Sequence, residues 1–120
     1  MDNREFAGVL GKRTLAFAIQ IIRLSSLLPN TPEGRVVRNQ ITKSGTSVGA
    51  NYREANRSRS RADFSSRIKI CESESSETQY WLEIINALGW IPQEQIKPVY
   101  QECCELLAVF SSIGRGGRSD

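Results

Sequence analysis

The side chains best suited to chemistry fall into two groups. One is a set of carboxylates and an amide at helical spacing: Asn51 and Glu54 lie three residues apart, and so do Glu74 and Glu77. Residues three apart share a helix face, so each pair could present two polar groups to one ligand or to a facing helix. The other is a run of arginines, Arg53, Arg57, Arg59, Arg61 and Arg67, whose guanidiniums can fork onto phosphate. The chain has no histidine, which removes the commonest general base and the commonest metal ligand. It also removes the Glu-x-x-His pairs of a carboxylate-bridged di-iron bundle. With no nucleophile paired to an acid and no glycine-rich phosphate loop after a strand, the sequence points away from an enzyme and implies no cofactor and no metal. The carboxylate set reads first as an interhelical polar lock of Asn51, Glu54, Glu74 and Glu77 that fixes helix register. A carboxylate metal site is the alternative.

The arginines sit in a lopsided charge pattern. Between positions 35 and 69 there are nine basic residues against two acids, and between 70 and 105 seven acids against one lysine. Such halves could attract one another within a chain or between chains. Arg53 and Arg57, near the end of a helix, are favoured there by its dipole without any ligand. Arg61 lies at the start of the next helix, where the dipole disfavours a cation, so Arg59 and Arg61 point more directly to a polyanion. Tyr52 and Phe64 are the only rings nearby and Phe64 reads as core, so binding should be driven by shape and charge rather than base stacking.

Four segments carry apolar or small residues at alternating steps of three and four, the mark of helices that share a seam. The first is Leu10, Thr14, Phe17, Ile21, Leu24 and Leu28. The second is Val37, Ile41, Ser44, Val48, Asn51 and Ala55. The third is Phe64, Ile68, Cys71, Ser75, Thr78, Leu82 and Ile85, and the fourth Ile96, Val99, Cys103, Leu106, Phe110 and Ile113. Pro29 to Pro32 end the first helix, with Thr31 as cap and Pro32 in the first turn of the second. Ser60 and Asp63 resemble a capping box for the third. Gly89 ends it, and Pro92 opens the fourth, although Pro98 moves the expected start towards Lys97. Short connections make sequential helices antiparallel. The expected fold is all-α, an up-down-up-down four-helix bundle over residues 1–113, with a disordered tail over 114–120. This topology gathers the N-terminus, the second loop and the C-terminus at one end, with Arg4, Arg53, Arg57, Arg59, Arg61, Arg115 and Arg118.

The stretch Ser44–Asn51, SGTSVGAN, interrupts the second helix with poor helix formers. Each glycine costs a helix about 1 kcal/mol relative to alanine, a loss that close packing must offset. Gly45 and Gly49 therefore mark a close approach, either of a helix in the same bundle or of a neighbouring subunit. Tyr80 and Trp81 point partly off the seam and serve either flank packing or a subunit contact. Cys71, Cys103 and Cys104 are an odd set with two adjacent, a poor disulfide framework that fits a reducing cytoplasm. No apolar run approaches the ~20 residues of a membrane span.

Taken together, Gln40-Ile41, Ser44 to Asn51, Glu54-Ala55, Ser60, Asp63-Phe64, Glu74, Glu77-Thr78 and Tyr80-Trp81-Leu82 resemble the four-helix-bundle family of 23S ribosomal-RNA intervening-sequence proteins. That family includes the accessory variability determinant of diversity-generating retroelements. The resemblance spans roughly Phe17 to Leu107. It implies a ring-shaped homopentamer and, in some members, association with structured RNA or a reverse transcriptase. For most members the function is unknown. The chain departs from many relatives in having Cys71 where they carry alanine and Ser73 where they carry lysine, which thins the positive charge of the third helix. The expected role is a non-enzymatic nucleic-acid-binding accessory, with a protein-only scaffold docking a partner such as a reverse transcriptase as the alternative.

Overall fold

The computed structural model describes residues 1–116, and these form four helices: α1 (Asn3–Ser25), α2 (Pro32–Ala55), α3 (Arg61–Leu88) and α4 (Gln93–Gly116). Each start has a local cause. The Asp2 carboxylate accepts from the Glu5 amide while the Glu5 carboxylate reaches back, a full capping box. Thr31 accepts from the Gly34 amide at 3.0 Å, and Ser60 from the Asp63 amide at 3.0 Å. Gly89 closes α3 in the left-handed conformation, φ 66°, which glycine adopts without a Cβ penalty. α4 begins at Gln93, directly after Pro92, and runs straight through Pro98. The expected displacement towards Lys97 does not occur. Pro98 forgoes the single hydrogen bond its N–H would have made to the Glu94 carbonyl, and burial of Ile96 and Val99 holds the first turns in place.

α2 packs against α1 and α3, α3 also packs against α4, and α1 meets α4 less extensively. α1 and α3 are therefore diagonal. The seam residues expected from the spacing are buried, with two exceptions at the ends, Phe64 and Ile113, which pack half-buried against the core. A third departure is Asn51, which is half-buried while its neighbour Tyr52 is buried and its ring lies 5.6 Å from that of Phe110. A straight helix turns every 3.6 residues rather than 3.5. Near its end the α2 seam accordingly runs Val48, Tyr52, Ala55. At the other end of the chain, α4 continues through Gly114, Arg115 and Gly116, positions expected to belong to a disordered tail. Gly114 lies beside Ile68 and Glu72 of α3, which supports that last turn. Residues 117–120 lie outside the described residues.

The two mid-helix glycines face α1. A Cβ on Gly45 would meet Ile21 side-chain atoms at 2.7 to 3.0 Å, and one on Gly49 would meet Thr14 at 3.2 Å. The close approach is thus made within the bundle. Gly34 is tighter still, since a Cβ there would collide with the Pro29 carbonyl. Deeper in, the Ser44 and Thr78 hydroxyls bond across α2 and α3 at 2.8 Å, fully buried. The Cys71 thiol donates to the Val48 carbonyl at 3.5 Å, and the Cys103 thiol to that of Ser75 at 3.3 Å. At the far side Arg13 of α1 forks onto Glu102 at 2.6 and 3.0 Å and reaches Glu105 at 3.1 Å. These α4 acids thus pair with an arginine outside the basic stretch.

This packing makes the glycines unequal. Gly45→Leu should destabilise the fold by about 1–3 kcal/mol, because Ile21 must move off its rotamer. Gly11→Ala, whose Cβ meets nothing within 4 Å, should stabilise it by up to about 1 kcal/mol through helix propensity. Urea denaturation of both variants checks the contrast. Burial also pushes the Cys71 and Cys103 thiols from 9.0 up to about 12. Across that window the unfolded chain holds fewer protons than the folded one, so stability is intact below pH 9 and falls as pH rises towards 12. The Cys71→Ala/Cys103→Ala variant should lose that part of the alkaline slope in denaturation midpoints measured against pH.

Candidate nucleic-acid interface

The five arginines expected to bind nucleic acid surround the turn between α2 and α3, but they are not equivalent. Arg53 and Arg57 leave the last turn of α2 and the turn after it, exposed to solvent, and Arg59 stands on the turn itself. Among the described residues none of these three is paired with a carboxylate or held by a hydrogen bond from its side chain. Arg61 opens α3 and is engaged in an interaction of its own. Arg67 is different. It is half-buried and its guanidinium donates to the Asn51 side-chain carbonyl at 3.3 Å, so it ties α3 to α2. Arg115, in the last turn of α4, belongs to the same end of the bundle.

That arrangement follows from local folding. α2 ends at Ala55 because the chain must leave the core after the buried Tyr52 and Ala55. The backbone amides of Asn56, Arg57 and Ser58 bond back to Tyr52, Glu54 and Ala55 at 3.0 to 3.1 Å, winding the turn tightly and throwing the long side chains outward. Ser60 then caps α3. The result is an exposed cationic turn between two helix ends.

The polar set is dispersed rather than assembled. Asn51 donates to the Ser47 carbonyl at 2.9 Å and accepts from Arg67, so it does bridge α2 and α3. Glu54 is exposed and its carboxylate makes no cross-helix bond among the described residues. Glu74 is half-buried; burial raises its pKa, Glu77 adds to the shift and Lys43 of α2 opposes it. Glu77 accepts from the Trp81 indole at 3.1 Å on its own helix. The buried cross-helix polar contact at mid-seam is Ser44 with Thr78 instead. Both belong to the seams that the spacing predicts, and hydroxyls on facing seams are the signal in the sequence that marks such a pair. No group of three or more Cys, Asp or Glu side chains among the described residues is placed to hold a metal ion.

Two surfaces outside the arginine turn matter as well. On α1, Leu15, Ile19 and Ile22 are 51%, 42% and 49% exposed and lie on one face at helical spacing. On α3, Ile70, Tyr80 and Leu88 are exposed, with Ile84 half-buried between them. Tyr80 stacks edge-on against Trp81, centroids 5.3 Å apart, and it is Trp81 that packs on the core. The seam periodicity does not mark the α1 stripe, which lies on the other side of its helix. No helix among the described residues is long and apolar enough to cross a membrane.

Comparison with known proteins places this geometry. The family model described as 23S rRNA-intervening sequence protein matches residues 10–112. Among solved structures, one is a protein with unknown function from the S23 ribosomal protein family of Bacteroides thetaiotaomicron VPI-5482. It superposes with a TM-score of 0.81 at 37% identity, over 88% of this chain and 97% of the other. No match was found among curated proteins. With the helices, the seam and the small-residue contact between α1 and α2 in place, and the family model spanning all four helices, the chain belongs to the 23S rRNA-intervening sequence protein family.

Proposed function

We propose that this protein is a non-enzymatic, homo-oligomeric four-helix bundle that binds structured RNA or DNA through the arginines at the α2–α3 end. The observation that carries the reading is the state of Arg53, Arg57 and Arg59. Three guanidiniums crowd one turn without a carboxylate partner among the described residues. Exposed cations held together on a rigid helix end form a phosphate-binding surface that costs little to present. Arg67 contributes by position, anchoring α3 to Asn51 rather than reaching outward.

Assembly is supported by Ile19 and Ile22 of α1, which lie outside the pocket beside the arginine turn, and by the apolar face of α3. They lie on diagonal helices, hence on opposite sides of the bundle. Unlike patches on opposite sides make head-to-tail contacts, and such contacts close into rings when the rotation allows. A homopentamer, the assembly that the family resemblance implies, would set the arginine ends of all its copies on one rim. A protein-only scaffold is the second reading, favoured by Tyr80, which is 58% exposed. Tyrosine is a preferred interface anchor, and the same face would then dock a partner such as a reverse transcriptase.

Retention on structured RNA separates these readings. Binding should weaken steeply with salt, and the Arg57→Ala/Arg59→Ala variant should flatten the logarithmic salt slope by roughly 0.7–0.9 for each phosphate that is no longer neutralised. Wild-type protein that ignores RNA at low salt would leave the scaffold reading in its place.

A further inference from the structure

A groove of about 490 Å³ runs between α1 and α2 just above the arginine turn. Leu15 and Ala18 line it from α1, and the small residues Gly49 and Ala50 from α2. Arg53 and Arg57 stand on its rim, one helical turn apart, and among the described residues no carboxylate lines it. The lining is mostly apolar, and the volume lies in the range of small-ligand sites. We propose that this groove takes one unpaired base of a single-stranded stretch of nucleic acid, while Arg53 and Arg57 hold the phosphates on either side of it. The inference rests on the nucleic-acid reading above and narrows it from charge recognition to capture of a splayed base.

The chemistry of the occupant follows from the groove. Two cations without carboxylate partners among the described residues stand one turn apart along one rim of an apolar slot, so the occupant should be flat or slender, apolar on its faces and carry two anions along one edge. A nucleotide within a strand has that distribution: a base between two phosphates. Proteins that recognise RNA in this way splay an unstacked base out of the strand and hold its backbone with basic residues. Arg53 and Arg57 are separated by about 6 Å along the α2 axis, four residues at about 1.5 Å each, so both can engage one short stretch of backbone. The absence of an exposed ring near the turn does not matter here, because aliphatic walls and bare backbone supply the apolar surface. Tyr52 lines the groove but is buried, so it backs the site rather than stacking.

Two variants fill the groove from opposite sides. A side chain at Gly11 enters open space, and Ala50 is exposed on α2, so Gly11→Leu and Ala50→Leu should both keep full helicity by circular dichroism. Fluorescence anisotropy is then read for a labelled single-stranded oligonucleotide of about eight nucleotides and for a blunt RNA duplex, both at low salt. Each variant should weaken single-strand binding about tenfold or more, the effect of releasing one held base. Duplex binding should stay within about twofold, as for a surface change remote from the duplex. Unchanged single-strand binding in both variants, or an equal loss for duplex and single strand, overturns the groove while leaving the nucleic-acid reading standing. Dissociation of the oligomer by sedimentation, together with lost binding, assigns the groove to a neighbouring copy and also overturns it. Wild-type protein that binds neither probe overturns both readings at once.

Discussion

Ile21 rests on the bare backbone of α2 at Gly45, and Thr14 rests on it at Gly49. No side chain larger than hydrogen fits the first position without moving its neighbour, so the separation of α1 and α2 is set by this close approach. The rest of the bundle is registered from there. With α1 drawn in, Phe17 and Ile21 reach the centre, and α2 turns Val48, Tyr52 and Ala55 towards α3 and α4. Two glycines in mid-helix weaken the isolated helix, and that penalty is offset by dispersion attraction that a wider spacing would forfeit.

The same close approach arranges the polar interior. The Ser44 and Thr78 hydroxyls meet only because α2 and α3 share a level, and both are wholly buried. Among the described residues every buried polar side-chain atom has a partner, as low-dielectric burial demands. The thiols of Cys71 and Cys103 pack in the core as small hydrophobes, each bonded to a carbonyl on an adjacent helix. The α1–α4 seam, less extensively packed, is fastened from outside by Arg13 and its two carboxylates. A bidentate arginine suits that place, since it needs no space in the core.

The arginine turn and the groove share an origin in this architecture. Tyr52 and Ala55 commit the end of α2 to the core, so Arg53 between them and Arg57 and Arg59 beyond them point to solvent. Gly11 and Gly49, having no side chains, leave a cleft open at the surface over the point where α1 and α2 touch. A concave strip beside exposed guanidiniums results, without any loop built for the purpose.

Much of this is legible in the residue order. The four helices, their caps at Thr31, Ser60 and Gly89, and nearly every buried position follow from a repeat of three and four steps, because burial of one face is a local property of spacing. Pro98 misleads, since the hydrogen bond it forgoes is outweighed by the burial of Ile96 and Val99 beside it. Asn51 and Tyr52 exchange places, since a helix drifts by a fraction of a residue per turn and only its partners say where it ends. Of the carboxylates expected to form one lock, Glu54 is exposed, Glu74 is half-buried and Glu77 bonds an indole on its own helix. Their spacing fixes a shared face but not what stands opposite. The sequence by itself determined which residues go inside and in what order the helices run, for those depend on periodicity along one chain. Only the tertiary structure decided that Gly45 and Gly49 meet α1, that Ser44 finds Thr78, and that Arg53 and Arg57 border a groove, because each depends on distances between segments that no spacing along the chain encodes.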